Sequence, residues 1–311
     1  EEEFMTLQQL RYIVMVAETG TITEAAGKLY ISQPSLTNAI HELEKEMNIT
    51  IFNRTNKGIS VSKEGEDFLS YARQILEQAA ILEDRYKGGN GGRKQYCVST
   101  QHYSFAVNAF VDLIKQFGQD EYDFSLRETQ TYEIIEDVAR LRSEIGILFI
   151  NDFNEAVIRK ILKSYELEFH ELFTARPHVF ISRKHPLAEC SVIHNEQLEE
   201  YPYLSFEQGD NSSFYLAEEI LSTNEYSQVI RANDRATMLN LMIGLNGYTL
   251  CSGIICEELN GNDYVAVPFQ DDEQNPNSVM EIGYITRKNT LLSKMGVLYV
   301  EDLKKYLNIS E

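Results

Sequence analysis

Hydrophobic positions recur at three- and four-residue steps through the first 87 residues, then give way to short apolar runs alternating with helical stretches. Over residues 7–17, Leu7, Leu10, Ile13, Val14 and Ala17 form one helical face, which Thr19-Gly20 closes. Thr21 and Glu24 stand at capping-box spacing ahead of Ala25, Ala26 and Leu29, small and apolar residues that suit two closely crossing helices. Leu36, Ile40, Leu43 and Met47 then stripe one side of a further helix. Ser32 is its expected cap and Pro34 falls in its first turn, so it begins near Gln33. At 100° per residue, Pro34, Asn38, His41 and Lys45 point away from the stripe. Two short helices about a tight polar turn are how a helix-turn-helix presents a recognition helix to the DNA major groove. Gln33, Pro34, Ser35, Thr37, Asn38 and His41 are the side chains expected to face DNA.

Residues 53–62 read as two short extended pieces about a turn at Asn56-Lys57-Gly58, a hairpin wing. Arg54, Lys57 and Lys63 give it three positive charges and no acid, so Arg54 and Lys57 are expected on the DNA backbone or minor groove. A long helix over 63–86 follows, with Ser62 as cap. Along it Phe68, Ala72, Ile75, Ala79, Leu82 and Tyr86 step by four, three, four, three and four, a heptad seam that predicts pairing with a second copy. Gly88-Gly89-Asn90-Gly91-Gly92 marks a hinge and a domain boundary. Beyond it the alternation is α/β, predicting a mainly parallel sheet, with strands at 96–99, 122–128, 145–150, 179–182, 203–206, 229–232, 248–251 and 281–286.

The combination of Ser32-Gln33-Pro34-Ser35-Leu36, Leu43-Glu44, Ile51-Phe52-Asn53-Arg54, Gly65, long helix and hinge resembles the LysR-type transcriptional regulators. The resemblance is dense over residues 5–87 and looser to the end of the chain. It implies an α+β multidomain protein with a winged helix-turn-helix at 5–62 and a linker helix and hinge at 63–92. A two-lobed effector module similar to periplasmic binding proteins would follow, with lobe 1 at 93–164 and 268–311 and lobe 2 at 165–267. The crossovers are expected near 162–167 and 265–271. Asn38 stands where many relatives carry Arg or Lys; it can read an adenine edge but forgoes a phosphate contact.

Open α/β sheets bind ligands beyond the carboxyl ends of their strands, where helix N-termini offer free N–H groups. Three polar clusters fall at such junctions: Ser99-Thr100-Gln101-His102, Thr129-Gln130-Thr131, and Ser205 with Asn211-Ser212-Ser213. Each can equally serve as a helix cap. The first two resemble the threonine- and glutamine-bearing loops of the cysteine-biosynthesis branch of the family, which hold small anions. The resemblance therefore implies a small anionic effector, with Arg127, Arg231 or Arg235 to neutralise it.

The chain carries 28 Lys and Arg against 48 Asp and Glu, a formal net charge of −20, which taken as a whole opposes a polyanionic partner. Its distribution answers this. Residues 5–63 hold six Lys/Arg and five acids, and residues 88–311 hold 19 against 34. A net of +1 is weak for one DNA reader, so a dimer is expected. The resemblance extends this to a homotetramer, and RNA polymerase is a further candidate partner. Residues 1–4 precede Met5, the expected native start. No apolar run approaches a membrane span and no signal peptide opens the chain, so the expected compartment is the cytoplasm. Cys97, Cys190, Cys251 and Cys256 form no CxxC pair and read as buried thiols.

His102 beside Ser99 and Ser104, or the pairs Glu218-Glu219 and Glu257-Glu258, could be cast as hydrolase parts. Adjacent glutamates diverge on a helix, however, and the chain has no Gly-x-Ser-x-Gly elbow, phosphate-binding loop or metal-spaced histidines. The expectation is a regulator with no catalytic residue, metal or cofactor beyond its effector. The alternative is a solute-binding or enzymatic α/β protein with an accessory DNA-binding domain.

Overall fold

Thr6, Thr21 and Ser32 each accept a backbone N–H two or three residues on, and a helix starts after each of them. The computed structural model describes residues 5–55, 58–87, 94–116, 121–209, 213–256, 259, 261–270 and 278–309. It divides into two compact units, Glu1–Gly92 and Arg93–Glu311.

The first unit opens with α1 (Leu7–Thr19), α2 (Ile22–Lys28) and α3 (Gln33–Met47). Gly20 ends α1 in the left-handed conformation (φ 71°) that glycine adopts without strain. Thr21 Oγ1 receives Glu24 N–H at 3.3 Å, but the Glu24 carboxylate turns to Lys28, so only half of the expected capping box forms. Leu36, Ile40 and Leu43 are buried against Leu10, Ile13 and Val16, while Met47 is half-buried. β1 (Phe52–Thr55) pairs antiparallel with β2 (Gly58–Val61), the predicted wing; its tip at 56–57 lies outside the described residues. Glu44 Oε1 accepts the backbone N–H groups of Ile51 and Phe52 at 2.8 and 3.0 Å. One carboxylate thus ties α3 to the root of the wing, which gives Leu43-Glu44 and Ile51-Phe52 a common physical purpose.

In α4 (Lys63–Lys87) the predicted seam divides. Ala72 is buried and Phe68 packs half-buried into the first unit's core beside Leu69 and Leu76, so neither is available to a second copy. Ala79 is half-buried, and the Tyr86 side chain lies outside the described residues. Among the described side chains of α4 the large exposed apolar ones are Tyr71, Ile75 and Leu82, at 58%, 41% and 60%. They lie within about 40° of one another at 100° per residue, so the free stripe is rotated from the expected one. Packing against the three-helix core has claimed one edge of the helix.

In the second unit β3 (Lys94–Thr100) runs parallel to β4 (Tyr122–Glu128) and β5 (Ile145–Ile150). β6 (Leu167–Ala175) and β13 (Met280–Arg287) complete the sheet in the order β4-β3-β5-β13-β6, with β13 antiparallel to both neighbours. Four of the five strands run in one direction and β13 runs against them, so the sheet is mainly parallel, as expected, with one reversed strand. Val98, Phe105, Phe110 and Leu113 belong to one core cluster with Tyr299 and Leu303, joining α5 (Ser104–Lys115) to the closing helix (Lys294–Tyr306). Ile134, Val138, Ile158 and Leu162 cluster with Leu148, bringing in α6 (Thr131–Ala139) and α7 (Glu155–Ser164).

The second lobe is a sheet of β7 (His178–Ser182), β8 (Ile193–His194), β11 (Thr249–Cys251) and β12 (Tyr264–Gln270), in the order β11-β7-β12-β8. Beside it β9 (Tyr203–Phe206) pairs parallel with β10 (Val229–Ala232). α8 (Asn195–Leu198) and α9 (Arg235–Leu245) complete the lobe, the latter burying Met238 and Met242. Both lobe boundaries move from their expected positions. β6 hydrogen-bonds to β13 in the first sheet, so the outward crossover falls between Ala175 and His178 rather than near 162–167. β12 belongs wholly to the second sheet, so the return follows Gln270, through residues 271–277 that lie outside the described ones. No described helix is long and apolar enough to cross a membrane.

Candidate functional site

Two places in the chain hold polar side chains away from structural duty. The first is the outer face of α3. Gln33, Pro34, Ser35, Asn38 and His41 are exposed and Thr37 is half-exposed, on the side opposite Leu36, Ile40 and Leu43. Ser32 Oγ takes the Ser35 N–H at 3.2 Å, and Thr23 Oγ1 donates to Gln33 Oε1 at 3.3 Å. The first turn of α3 is therefore capped and held while Gln33, Pro34 and Ser35 remain exposed. Arg54 lies on β1, its side chain outside the described residues, and Lys57 lies outside them altogether.

The second place is a cleft between the two lobes, about 730 Å³ including the open solvent at its mouth. The loop after β3 supplies Gln101, His102 and Tyr103, and β13 supplies Met280. Opposite them stand Phe180, Phe206, Glu218, Glu219, Arg235, Met238 and Thr249 of the second lobe. His102 lies flat on Phe206, with ring centroids 3.6 Å apart and planes at 4°. Its backbone N–H donates to Glu218 Oε2 at 3.1 Å, and its Nδ1 lies 2.7 Å from the same oxygen. Gln208 Nε2 donates to Glu218 Oε1 at 3.2 Å, and Gln208 Oε1 accepts Thr131 N–H at 3.3 Å. A continuous polar chain thus clasps one lobe to the other across the back of the cleft.

Among the described residues of the three predicted polar clusters, Gln101 and His102 of the first are the ones that line this cleft. Ser99 is buried and donates to Asp137 at 2.7 Å, with Ser143 at 2.8 Å. Thr100 donates to the Gln101 carbonyl, and Thr131 receives Gln101 Nε2 at 2.6 Å. Thr129 bonds to Glu133, and Gln130 lies against Gly209. Ser205 is buried on β9 and does not line the cleft; Asn211 and Ser212 lie outside the described residues. Ser99, Thr100, Thr129 and Thr131 are kept from the cleft by the bonds their hydroxyls already make within the first lobe, and Gln130 and Ser205 do not line it either. Buried hydroxyls and amides near strand ends are used to satisfy their own backbone and side-chain neighbours.

The expected neutralising cations are also otherwise engaged. Arg127 pairs with the buried Asp137 at 3.3 Å, and Arg231 is exposed on β10 outside the cleft lining. Arg235 lines the cleft, but Glu128 of the first lobe holds its guanidinium through both Nε and Nη2. Glu218 and Glu219, by contrast, both reach the cleft. They sit on a bend rather than a helix, so the divergence expected of helical neighbours does not apply. Burial, reinforced by the Glu218 carboxylate, pushes Glu219 up to about 8, against the Phe206 N–H, its own backbone N–H and Arg231. No hydrophobic period marks these residues; their signal is only that two acids sit in an otherwise mixed turn.

Among the described residues of the cleft none has the geometry of an activated nucleophile. Ser104 Oγ receives the Cys256 N–H at 3.0 Å, and His102 Nδ1 faces Glu218. Burial pushes the Cys251 thiol up to about 11, away from the thiolate that reacts. All four cysteines are free.

Comparison with known proteins matches residues 7–66 to the bacterial regulatory helix-turn-helix protein, lysR family, and residues 97–306 to the LysR substrate binding domain. Among curated relatives, the HTH-type transcriptional regulator ClcR of Pseudomonas putida is 39% identical over 88 residues, covering 28% of this chain and 30% of ClcR. A probable RuBisCO transcriptional regulator of Phaeodactylum tricornutum is 30% identical over 207 residues, 64% of each chain. The match thus spans less than two thirds of either relative. Full-length OxyR from Pseudomonas aeruginosa shares the fold, with a TM-score of 0.68 at 18% identity over 100% of this chain and 97% of that one.

Proposed function

The chain belongs to the LysR family, and from that premise we propose that it is a sequence-specific DNA-binding transcriptional regulator whose activity is set by a small molecule held between the effector lobes. The observation that carries the reading is the exposed polar face of α3, fixed at its start by Ser32 and at its end to the wing by Glu44. Gln33, Pro34, Ser35, Thr37, Asn38 and His41 face the major groove, and Arg54 and Lys57 the backbone or minor groove. Gln33→Ala is expected to relax base preference by roughly 1–3 kcal/mol at one position, the usual worth of a good base contact. Fluorescence anisotropy with an operator and its single-base variants measures this; unchanged discrimination would place the reading face elsewhere.

A dimer doubles the weak net charge of the reader. A second copy pairs along Tyr71, Ile75 and Leu82 of α4 rather than along Phe68 and Ala72, which the core already holds. Burial of one leucine is worth about 1.5–3 kcal/mol, and symmetry counts it twice. Leu82→Glu should therefore weaken dimerisation about a hundredfold or more in sedimentation equilibrium and carry operator affinity down with it. A dimerisation constant that does not move would exclude this stripe. Effector modules pair further into a tetramer, and RNA polymerase is the partner at the promoter. Effector binding favours one lobe geometry and thereby one spacing of the two readers. This mode of action asks for no catalytic residue, metal or cofactor, and it operates in the cytoplasm, where the DNA is.

A further inference from the structure

The walls of the interlobe cleft are apolar at Phe180, Phe206, Met238 and Met280, yet two carboxyl side chains, Glu218 and Glu219, are buried in it at 8% and 5% exposure. Among the described residues lining the cleft the arginine is Arg235, and Glu128 already occupies it through two nitrogens. His102 is engaged by Glu218. An anion entering here would meet two acids and no uncommitted guanidinium, in a setting where water screens little. A separate observation marks the cleft as built for a ligand. Thr249 Oγ1, on a residue 7% exposed in the lining, has no hydrogen-bond partner among the described residues, an unusual state for a buried hydroxyl.

We propose that the cleft takes an organic cation, a compact apolar body bearing a protonated amine, with the ammonium between Glu218 and Glu219 and the Thr249 hydroxyl as a further polar partner. The proposal rests on the reading of this cleft as the effector site. A carboxylate offers about four acceptor positions. Glu219 spends its own on the Phe206 N–H and its own backbone N–H, and Glu218 on His102 and Gln208, so capacity remains for an ammonium. The aromatic ring of Phe180 suits the apolar body and attracts a cation in its own right.

Proton linkage follows from the same geometry. Glu219 is faced by Glu218 beside it, Arg231 of β10 and Tyr203 of β9; Tyr103 of the first lobe is also within electrostatic reach. Burial holds the Glu219 proton to about pH 8, and an ammonium favours its release, so amine affinity rises with pH by up to about tenfold per unit below 8.

Calorimetry on the full chain with phenethylamine, 2-phenylethanol and phenylacetate tests this, alongside the variants Glu219→Gln and the nearly isosteric Thr249→Val. Phenethylamine is expected to bind at least about tenfold tighter than the other two, to tighten from pH 6 to pH 8, and to lose about tenfold or more in each variant. Tighter binding of phenylacetate that still responds to Thr249→Val overturns the cation and leaves the cleft as the effector site. Binding of any probe that ignores both substitutions overturns the cleft itself and the proposal with it. Failure of phenethylamine to bind at millimolar concentration overturns the cation.

Discussion

Glu219→Gln is expected to make the protein more stable than the parent at pH 8 and to remove much of its loss of stability between about pH 5 and pH 8. The sign follows from the buried carboxyl. In the folded chain Glu219 keeps its proton to about 8, against an ordinary value of 4.5. The stability this contributes is therefore fully present below 4.5 and is lost as pH rises through 8, because the unfolded chain gives up the proton first. At about 1.4 kcal/mol per pH unit, the loss is on the order of 4–5 kcal/mol over that window. Glutamine keeps an oxygen for the Phe206 N–H, now accepted at 2.6 Å, and carries no charge at any pH. Differential scanning calorimetry of both proteins at pH 5.5, 6.5 and 8 reads the difference, which cancels titration shared by the two. Parallel curves would mean that water or a relaxed side chain already solvates Glu219.

Gly65→Ala should melt the first unit at a markedly lower temperature and abolish operator binding with it. A Cβ on Gly65 would stand 2.2 Å from the Ile51 carbonyl oxygen and 2.9 Å from the Ile51 carbonyl carbon. These are backbone atoms of the segment that Glu44 and Ser62 hold, with Ser62 N–H donating to the Ile51 oxygen at 2.9 Å. No side-chain rotation relieves the contact, so α4 must move off the wing root. Overpacking of this kind costs typically 1–3 kcal/mol, and a clash with backbone belongs at or above the top of that range, about 3 kcal/mol. Gly27→Ala supplies the contrast. Nothing lies within 4 Å of its added methyl in the helix α2, so a gain of up to about 1 kcal/mol is expected from helix propensity. Thermal unfolding of the full chain followed by circular dichroism separates the two. Equal midpoints for Gly65→Ala and the parent would show that the wing root yields more easily than its hydrogen bonds imply.

The helix-turn-helix was legible because its information is local. Ser32 and Thr21 act within three residues, and Leu36, Ile40 and Leu43 within two turns. The strands at 122–128, 203–206 and 229–232 were legible for the same reason, each a short run in which aromatic or aliphatic residues recur between turns. What pairs with each strand was not. β6 reads alike in either lobe, and only its register with β13, about a hundred residues away, assigns it to the first. The α4 seam shows the intermediate case. Its periodicity predicted an apolar stripe, but which edge stays free depends on how the helix rests on α1–α3.

The sequence by itself determined the reader: the helix, its cap, the face turned outward and the wing beside it, since each depends on neighbours a few positions away. Tertiary structure alone decided the chemistry of the cleft. Arg235 is removed from service by Glu128, 107 residues distant, and Glu218 is brought to His102 across 116. Such pairings leave no periodic trace in the chain, because a charge is neutralised by whatever the fold sets beside it. The hydroxyls that looked most like ligand contacts, Ser99, Thr100, Thr129 and Thr131, already bond to neighbouring groups of their own lobe.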